Sequence, residues 1–250
     1  MIVAVTSWRG TGTTTAALAL AACAARDGSG AWLVEADPAG GVLAGRMRLA
    51  PTTVGGLERV AFPNDRCSVV EALHDVAHHH GRLRIVSSPA DPFRAHACHR
   101  PRAAWSEALA ELAGTVVIDI GRLRAGSPVW PLVQRADLML AVTTPEVSAA
   151  VAAGEWLRTG GRVAPTEPGF DSATTRLVIV DSPGGVAFPR SGLLAELADE
   201  CAGWLPWDPA AVDLLHRGAS VDDRRLVRSP LITAAGRIAE TAFAQRLVAS

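Results

Sequence analysis

The chain has 250 residues, 49% of them apolar and 20% charged, a composition that supports one large core and excludes a disordered chain. Its 24 basic and 25 acidic residues leave a formal charge of −1, which encodes no general attraction to nucleic acid or to an anionic membrane. Lysine and tyrosine are absent, so every basic residue other than histidine is arginine, a bias of the kind that high-GC coding produces.

Ile2–Thr6 is a short apolar run rich in β-branched residues, followed by the Gly/Thr segment Ser7–Thr13. Thr14–Arg26 is rich in Ala and Leu and reads as a helix that Asp27-Gly28-Ser29-Gly30 ends, and Ala31–Ala36 reads as the next strand. This order begins a parallel sheet with a right-handed crossover. Val69–His79 then reads as helix, Leu83–Ser87 as strand, Pro101–Leu112 as helix and Thr115–Ile120 as a strongly apolar strand. Pro131–Arg135 is predicted as a short helix, Leu138–Thr143 as a strand, Glu146–Arg158 as a helix and Leu177–Asp181 as a strand. Ser191–Ala202 is predicted as a helix, Leu205 falls in a last short strand, and Pro230–Val248 is the C-terminal helix. Strands that are apolar throughout and alternate with helices predict a single α/β domain over residues 1–250. Its sheet is expected to be mostly parallel and twisted, of about seven or eight strands, with helices on both faces and with Ile2–Thr6 and Thr115–Ile120 as central neighbours. Thr159–Ser172 is the best loop candidate and does not divide the chain.

Cys23, Cys67, Cys98 and Cys201 are far apart, form no C-x-x-C, and read as free thiols of a reducing cytoplasm. The apolar run Thr14–Cys23 is preceded by no basic segment and is too short to span a bilayer, so no signal peptide is predicted. His78-His79-His80 falls at the end of a predicted helix, where neighbouring residues do not share a face, and His96-Ala97-Cys98-His99 lacks a second ligand pair at zinc spacing. No histidine–cysteine metal centre is expected.

In a sheet of this kind ligands bind beyond the carboxyl ends of the strands, where three segments fall. Ser7-Trp8-Arg9-Gly10-Thr11-Gly12-Thr13-Thr14-Thr15 places a Gly-rich loop before a helix N-terminus, an arrangement whose backbone N–H groups can cradle an anion. In a phosphate loop of the form G-x-x-x-x-G-K-[ST], Gly12 fits the second glycine and Thr14 the magnesium-binding hydroxyl, while Ser7 stands at the first glycine and Thr13 at the lysine. Glu35-Ala36-Asp37-Pro38 ends the second strand with two carboxylates, a pairing suited to holding magnesium and ordering water beside a γ-phosphate. Val116-Val117-Ile118-Asp119 ends another apolar strand in a carboxylate suited to the magnesium side. A Gly/Thr turn or an acidic strand end is common by itself; the three in this order at one edge are not.

Together these segments resemble the ParA/MinD family of P-loop ATPases, in which a strand leads into x-K-G-G-x-G-K-T-T, a later strand ends in D-x-D-P, and a further apolar strand ends in Asp. Trp8 takes the place of the family's signature lysine and Arg9 that of the first glycine of the pair, whereas Gly10 and Gly12 are kept. Thr13 replaces the phosphate-loop lysine, Thr14 and Thr15 are kept, and Glu35 stands for the first Asp of D-x-D-P. Leu205-Pro206-Trp207-Asp208-Pro209 resembles the family's P-x-D loop beside the nucleotide base. That segment and Arg228-Ser229-Pro230-Leu231 are similar to MinD-related proteins of high-GC actinobacteria. The resemblance implies ATP with magnesium as the only cofactor, bound by Gly10, Thr11, Gly12, Thr13, Thr14, Thr15, Pro206 and Asp208. It implies magnesium at Thr14, Asp119 and Glu35, and catalytic carboxylates at Asp37 and Asp119.

The loss of both lysines argues against that activity, because phosphoryl transfer depends on positioned positive charge. Three readings follow: a degenerate MinD/ParA-like scaffold or localisation factor for a cell-envelope, pilus, secretion or partitioning machine; a slow ATPase that switches states to position cargo; and a DNA-associated segregation factor. The Trp8/Arg9 face is expected to contact a protein partner or a second copy, since Trp and Arg make good interface anchors. Arg224, Arg225 and Arg228 follow Asp222 and Asp223, which neutralise much of a DNA-binding patch. The apolar face of the C-terminal helix is Ala-rich with only Arg237 and Arg246 as cations, so it is expected to pack on the sheet and not on a membrane. The expected location is the cytoplasm, with any membrane recruitment through a partner.

Overall fold

The computed structural model describes residues 1–7, 9–10, 12–26, 28–49, 56–63, 67–99, 105–161, 169–171, 174–183, 189–197 and 200–247, with the backbone alone for 243–247. In chain order the elements are β1 (Ile2–Ser7), α1 (Thr13–Ala24), β2 (Ala31–Glu35), α2 (Leu43–Arg46), α3 (Gly56–Ala61), α4 (Val69–Val76), β3 (His78–His80) and β4 (Leu83–Val86). They continue with α5 (Pro92–Ala97), α6 (Trp105–Ala108), β5 (Thr115–Arg122), α7 (Trp130–Arg135), β6 (Leu138–Thr143), α8 (Val147–Arg158) and β7 (Thr175–Val180). The last are α9 (Arg190–Glu196), β8 (Cys201–Leu205), α10 (Pro209–His216), α11 (Arg224–Val227) and α12 (Pro230–Leu247).

The strands form one eight-stranded sheet in the order β3-β4-β2-β5-β1-β6-β7-β8, parallel except where β3 pairs antiparallel with β4. β1 and β5 are central neighbours, as expected, with Ile2 opposite Val116 and Val5 opposite Asp119. Because successive side chains point to opposite faces, these apolar strands feed two cores. Ile2, Ala4, Trp32, Val34, Ile118 and Ile179 face one side, covered by α4, α6, α7 and α8. Val3, Val5, Leu33, Val117, Leu140 and Val178 face the other, covered by α1, α10 and α12.

Helix α1 is buried from Ala16 to Ala24, because it lies between the sheet and α12. That explains its almost uninterrupted Ala/Leu run: a helix enclosed on all sides has no polar face to show. Leu231, Ile232, Ala235, Ile238, Ala239 and Ala242 of α12 are buried in that core, so the C-terminal helix packs on the fold as expected. Among the described residues no helix is long and apolar enough to cross a membrane.

Three expectations are corrected. The helix predicted to reach His79 stops at Val76, Ala77 turns to extended backbone, and His78–His80 forms an edge strand joined to β4 by a hairpin at Gly81, which holds φ +63°. The helix predicted over Ser191–Ala202 ends at Glu196, and Cys201 and Ala202 belong to β8, where Cys201 pairs with Leu177. Of the helix predicted over Pro101–Leu112, residues 101–104 lie outside the described residues, Trp105–Ala108 is α-helical and Leu109–Glu111 is a 3-10 turn. Short helices that sequence periodicity missed start from local caps. Asp91 accepts from Arg94 N at 2.9 Å ahead of α5, and Asp208 from Ala211 N at 3.0 Å ahead of α10, each with proline in the first turn.

Candidate functional site

The parallel register brings the carboxyl ends of β1, β2 and β5 side by side, with Asp119 opposite both Val5 and Glu35. The loop after β1, the Glu35–Pro38 segment and Asp119 therefore meet at one place, and they meet because the strand order puts them there.

Gly10 and Gly12 both hold left-handed backbone, φ +81° and +71°, and Ala16 N donates to Gly12 O at 2.9 Å to open α1. Space is free around Gly10, where a β-carbon would meet nothing within 4 Å, so glycine is needed there for its conformation alone. The loop also binds itself: Gly10 N donates to Ser7 Oγ at 2.8 Å. A hydroxyl at the first glycine position thus takes up one of the N–H groups that a phosphate nest would present, a contact the sequence did not announce. Thr13, at the lysine position, is 6% exposed, and its Oγ1 is buried without a hydrogen-bond partner. Arg9 is exposed. Trp8 and Thr11 lie outside the described residues.

Asp119 is fully buried. Its carboxylate accepts hydrogen bonds from the Thr14 hydroxyl and, through Oδ1, from Gly121 N at 3.1 Å, while Oδ2 is buried without a partner. Burial pushes its pKa up to about 7; the Thr14 and Gly121 hydrogen bonds oppose this, and the nearby charges of Glu35 and Asp37 reinforce it. Asp37 is half-buried, its Oδ1 accepts from Ala39 N at 2.8 Å, and its carboxyl rests on Gly121. Burial raises its pKa as well.

Glu35 is tied into the surrounding backbone. Its Oε1 accepts from Val42 N at 2.6 Å and Leu43 N at 2.9 Å, and its Oε2 from Ser88 N at 3.0 Å. Both oxygens accept from backbone, so this carboxylate is a strut between the β2 and β4 loops. The loops close so tightly over it that a β-carbon on Gly41 would lie 2.5 Å from Glu35 Oε2. Burial raises the pKa of Glu35 while the three N–H groups oppose the rise.

These residues fit a magnesium ion in part, since Thr14 and the unpartnered Oδ2 of Asp119 offer hard oxygen donors. They do not fit a triphosphate well. The site gathers three carboxylates, the lysine position holds a neutral hydroxyl, and the sequence contains no lysine.

Beside the loop lies a cavity of 430 Å³ lined by Gly12 and Thr15 on one side and by Val180, Leu205, Pro206 and Asp208 on the other. The fold thus brings the P-x-D-like segment to the phosphate loop. Asp208 has structural work here too: besides capping α10, its Oδ2 accepts from Leu231 N at 3.4 Å at the start of α12. The sequence reading missed Arg46 and His216, which also line this cavity; Arg46 lies on α2.

Other features resolve into structure. Arg225 pairs with Asp223, which caps α11, so the basic cluster is partly neutralised. His99 is buried, its pKa pushed down to about 4 by burial first and by the nearby His96, against a hydrogen bond to the Ala36 backbone. Among the described residues no group of three or more His, Cys, Asp or Glu is placed to hold a metal ion. The four cysteines are free thiols.

No protein-family model matches the chain, and no curated protein matches it. Solved structures do. The chain is similar to the septum site-determining protein MinD from Pyrococcus horikoshii, solved with Mg-ADP, at TM-score 0.70 and 16% identity over 96% of this chain and 93% of that one. It is similar to a ParA family ATPase from Chlorobium tepidum at TM-score 0.71 and 19% identity, over 97% of both chains. It is also similar to MinD in the MinC:MinD cell division complex of Aquifex aeolicus, at TM-score 0.65 and 18% identity over 100% and 96% of the two chains. At these identities the likeness establishes the fold: a single α/β domain of the MinD/ParA P-loop type.

Proposed function

We propose that this chain is a MinD/ParA-type protein with a degenerate phosphate loop, acting as a scaffold or localisation factor for a larger envelope, pilus, secretion or partitioning machine. The observation that carries this reading is Thr13: a buried, neutral residue stands where the loop needs its lysine, with no lysine elsewhere in the chain to replace it. Removing two cations from a phosphoryl-transfer site costs about 4 kcal/mol or more of transition-state stabilisation, which is several powers of ten in rate. Titration calorimetry with ATP and magnesium tests the reading. The expected dissociation constant is no tighter than roughly 100 μM, about −5.5 kcal/mol. Micromolar binding, or ATP turnover that Asp119→Ala abolishes, overturns it.

A slow nucleotide-switched ATPase is the second reading, favoured by the Thr14–Asp119 hydrogen bond and by the cavity that joins Gly12 to Pro206 and Asp208. Under the first reading the face bearing Trp8 and Arg9 contacts a protein partner or a second copy without nucleotide. Trp8→Ala should then weaken that complex by ~2 kcal/mol or more with little change in melting temperature; the opposite pattern makes Trp8 a plug of its own loop. The proposed location is the cytoplasm, any membrane recruitment coming through a partner because α12 is already packed against α1.

A further inference from the structure

His78, His79 and His80 form an edge strand and not the end of a helix, and that changes which of them share a face. Consecutive residues of a helix point apart, whereas residues two apart on a strand point the same way, with Cα atoms roughly 6.8 Å from each other. In β3 His78 stands opposite Ile85 and His80 opposite Leu83, and both of those belong to the core shared with α1 and α10. His79 stands opposite Arg84, whose guanidinium lies 5.1 Å from the ring centre of Trp32 in the other core. Directly opposed residues share a face, so His78 and His80 project together and His79 projects away from them.

The ring of His80 is held in place. It packs on Gly218, just past α10, so closely that a β-carbon there would lie 2.8 Å from its Cε1, and it donates a hydrogen bond to the Gly218 backbone. Metal-binding histidines are usually oriented in this way, one ring N–H resting on a carbonyl while the other nitrogen keeps its lone pair for the metal. Burial first, and then the charge of His80 ahead of that of the adjacent His79, lower the pKa of His78, so the two same-face rings lie close together. Both rings are half-buried, and among the described residues no strand pairs with the outer edge of β3, so an ion can reach them from solvent.

We propose that His78 and His80 chelate one late first-row divalent metal ion, of the zinc or nickel kind, at the edge of the sheet. Imidazole nitrogen suits these ions, whereas magnesium prefers oxygen. Among the described residues no third His, Cys, Asp or Glu joins the pair, so water fills the remaining positions and the site is open and exchangeable, unlike a closed structural zinc centre. Through His80 the ion ties β3 to the turn after α10. The site is four strands away from β1 and its phosphate loop, and it does not depend on the proposed function. The competing use of three histidines on an open edge is simply to keep that edge polar and unpaired.

Titration calorimetry of the full chain, freed of any affinity tag, with zinc chloride and with nickel chloride tests the site. One ion should bind per chain. His78→Ala and His80→Ala should each weaken it about tenfold or more, while His79→Ala should leave it unchanged. Zinc should also raise the melting temperature of the wild type and of His79→Ala, but not of His78→Ala, because an ion that binds only the folded chain stabilises it; this carries the test if His80→Ala does not fold. Excess magnesium should not compete. The proposal is overturned if neither ion binds at concentrations on the order of 1 mM, or if the three single variants weaken binding equally. It is also overturned if binding survives in the His78→Ala/His80→Ala double variant, or if one ion is shared by two chains.

Discussion

Asp37 rests on Gly121 so closely that a β-carbon at Gly121 would lie 2.1 Å from Asp37 Cγ. Gly121 is held from both sides as well, its N–H by Asp119 Oδ1 at 3.1 Å and its carbonyl by the Thr6 hydroxyl at 2.9 Å, and its φ is +61°. The two site carboxylates and the end of β5 therefore form one rigid unit. Gly121→Ala meets both left-handed strain, worth roughly 1–2 kcal/mol, and a direct overlap, so its total cost should reach about 3 kcal/mol or more. Gly10→Ala meets the strain alone, because the space around Gly10 is open, and should cost about 1 kcal/mol. Urea denaturation of the two variants measures the difference. Equal losses would mean that Asp37 swings away freely and that the unit is not rigid.

Glu35 gives a second stability prediction. Removing its carboxylate in Glu35→Ala strands the N–H groups of Val42, Leu43 and Ser88. An unsatisfied buried donor costs about 1–3 kcal/mol, so the variant should lose roughly 3 kcal/mol or more. Glu35→Gln should also destabilise, since an amide offers one acceptor oxygen where the carboxylate uses two. A loss below about 0.5 kcal/mol in either variant would remove the strut assignment.

The central pairing of β1 with β5 was legible because both runs are apolar and β-branched, and the common edge of the loop, Glu35–Pro38 and Asp119 follows from the order of βα units. That legibility concerns place, not role. The use of Glu35 was hidden because one of its partners, Ser88, is 53 residues away and reaches it only through the β2–β4 pairing. The edge strand His78–His80 was hidden for another reason. Three consecutive histidines carry no apolar period, and only pairing with Leu83–Ile85 makes them a strand. The Ser7–Gly10 hydrogen bond needs the left-handed turn at Gly10, which sequence suggests but does not locate.

Thr13→Lys restores the missing phosphate-loop cation and turns the proposed degeneracy into a gain-of-function test. The lysine replaces a buried hydroxyl that has no partner, so no existing hydrogen bond is lost. ATP affinity with magnesium should rise at least about tenfold, or roughly 1.4 kcal/mol, if the absent cation is what limits binding. Unchanged affinity in a folded variant would place the limit elsewhere, for instance in the Ser7 hydroxyl that holds Gly10 N.

The pH dependence of stability should conceal two opposing titrations. Burial raises the pKa of Asp119 from 3.8 to about 7, so the folded chain holds that proton more tightly than the unfolded chain does. This contribution is fully present below the unfolded value and is lost as pH rises through about 7. Burial lowers the pKa of His99 from 6.5 to about 4, so the fold favours its neutral ring. That contribution is present above the unfolded value and is lost as pH falls through about 4. Between pH 4 and 6.5 the two slopes have opposite signs, each up to roughly 1.4 kcal/mol per pH unit, and they largely cancel in the wild-type chain. Asp119→Asn, which keeps an acceptor for Thr14 and Gly121, removes the loss at rising pH and should make stability climb across this window. His99→Gln, which keeps a donor for the Ala36 carbonyl, should make it fall. Urea denaturation of all three proteins across the window, read as differences from wild type, checks both signs at once. Two variants whose profiles run parallel to the wild type would show that neither group changes its proton affinity on folding.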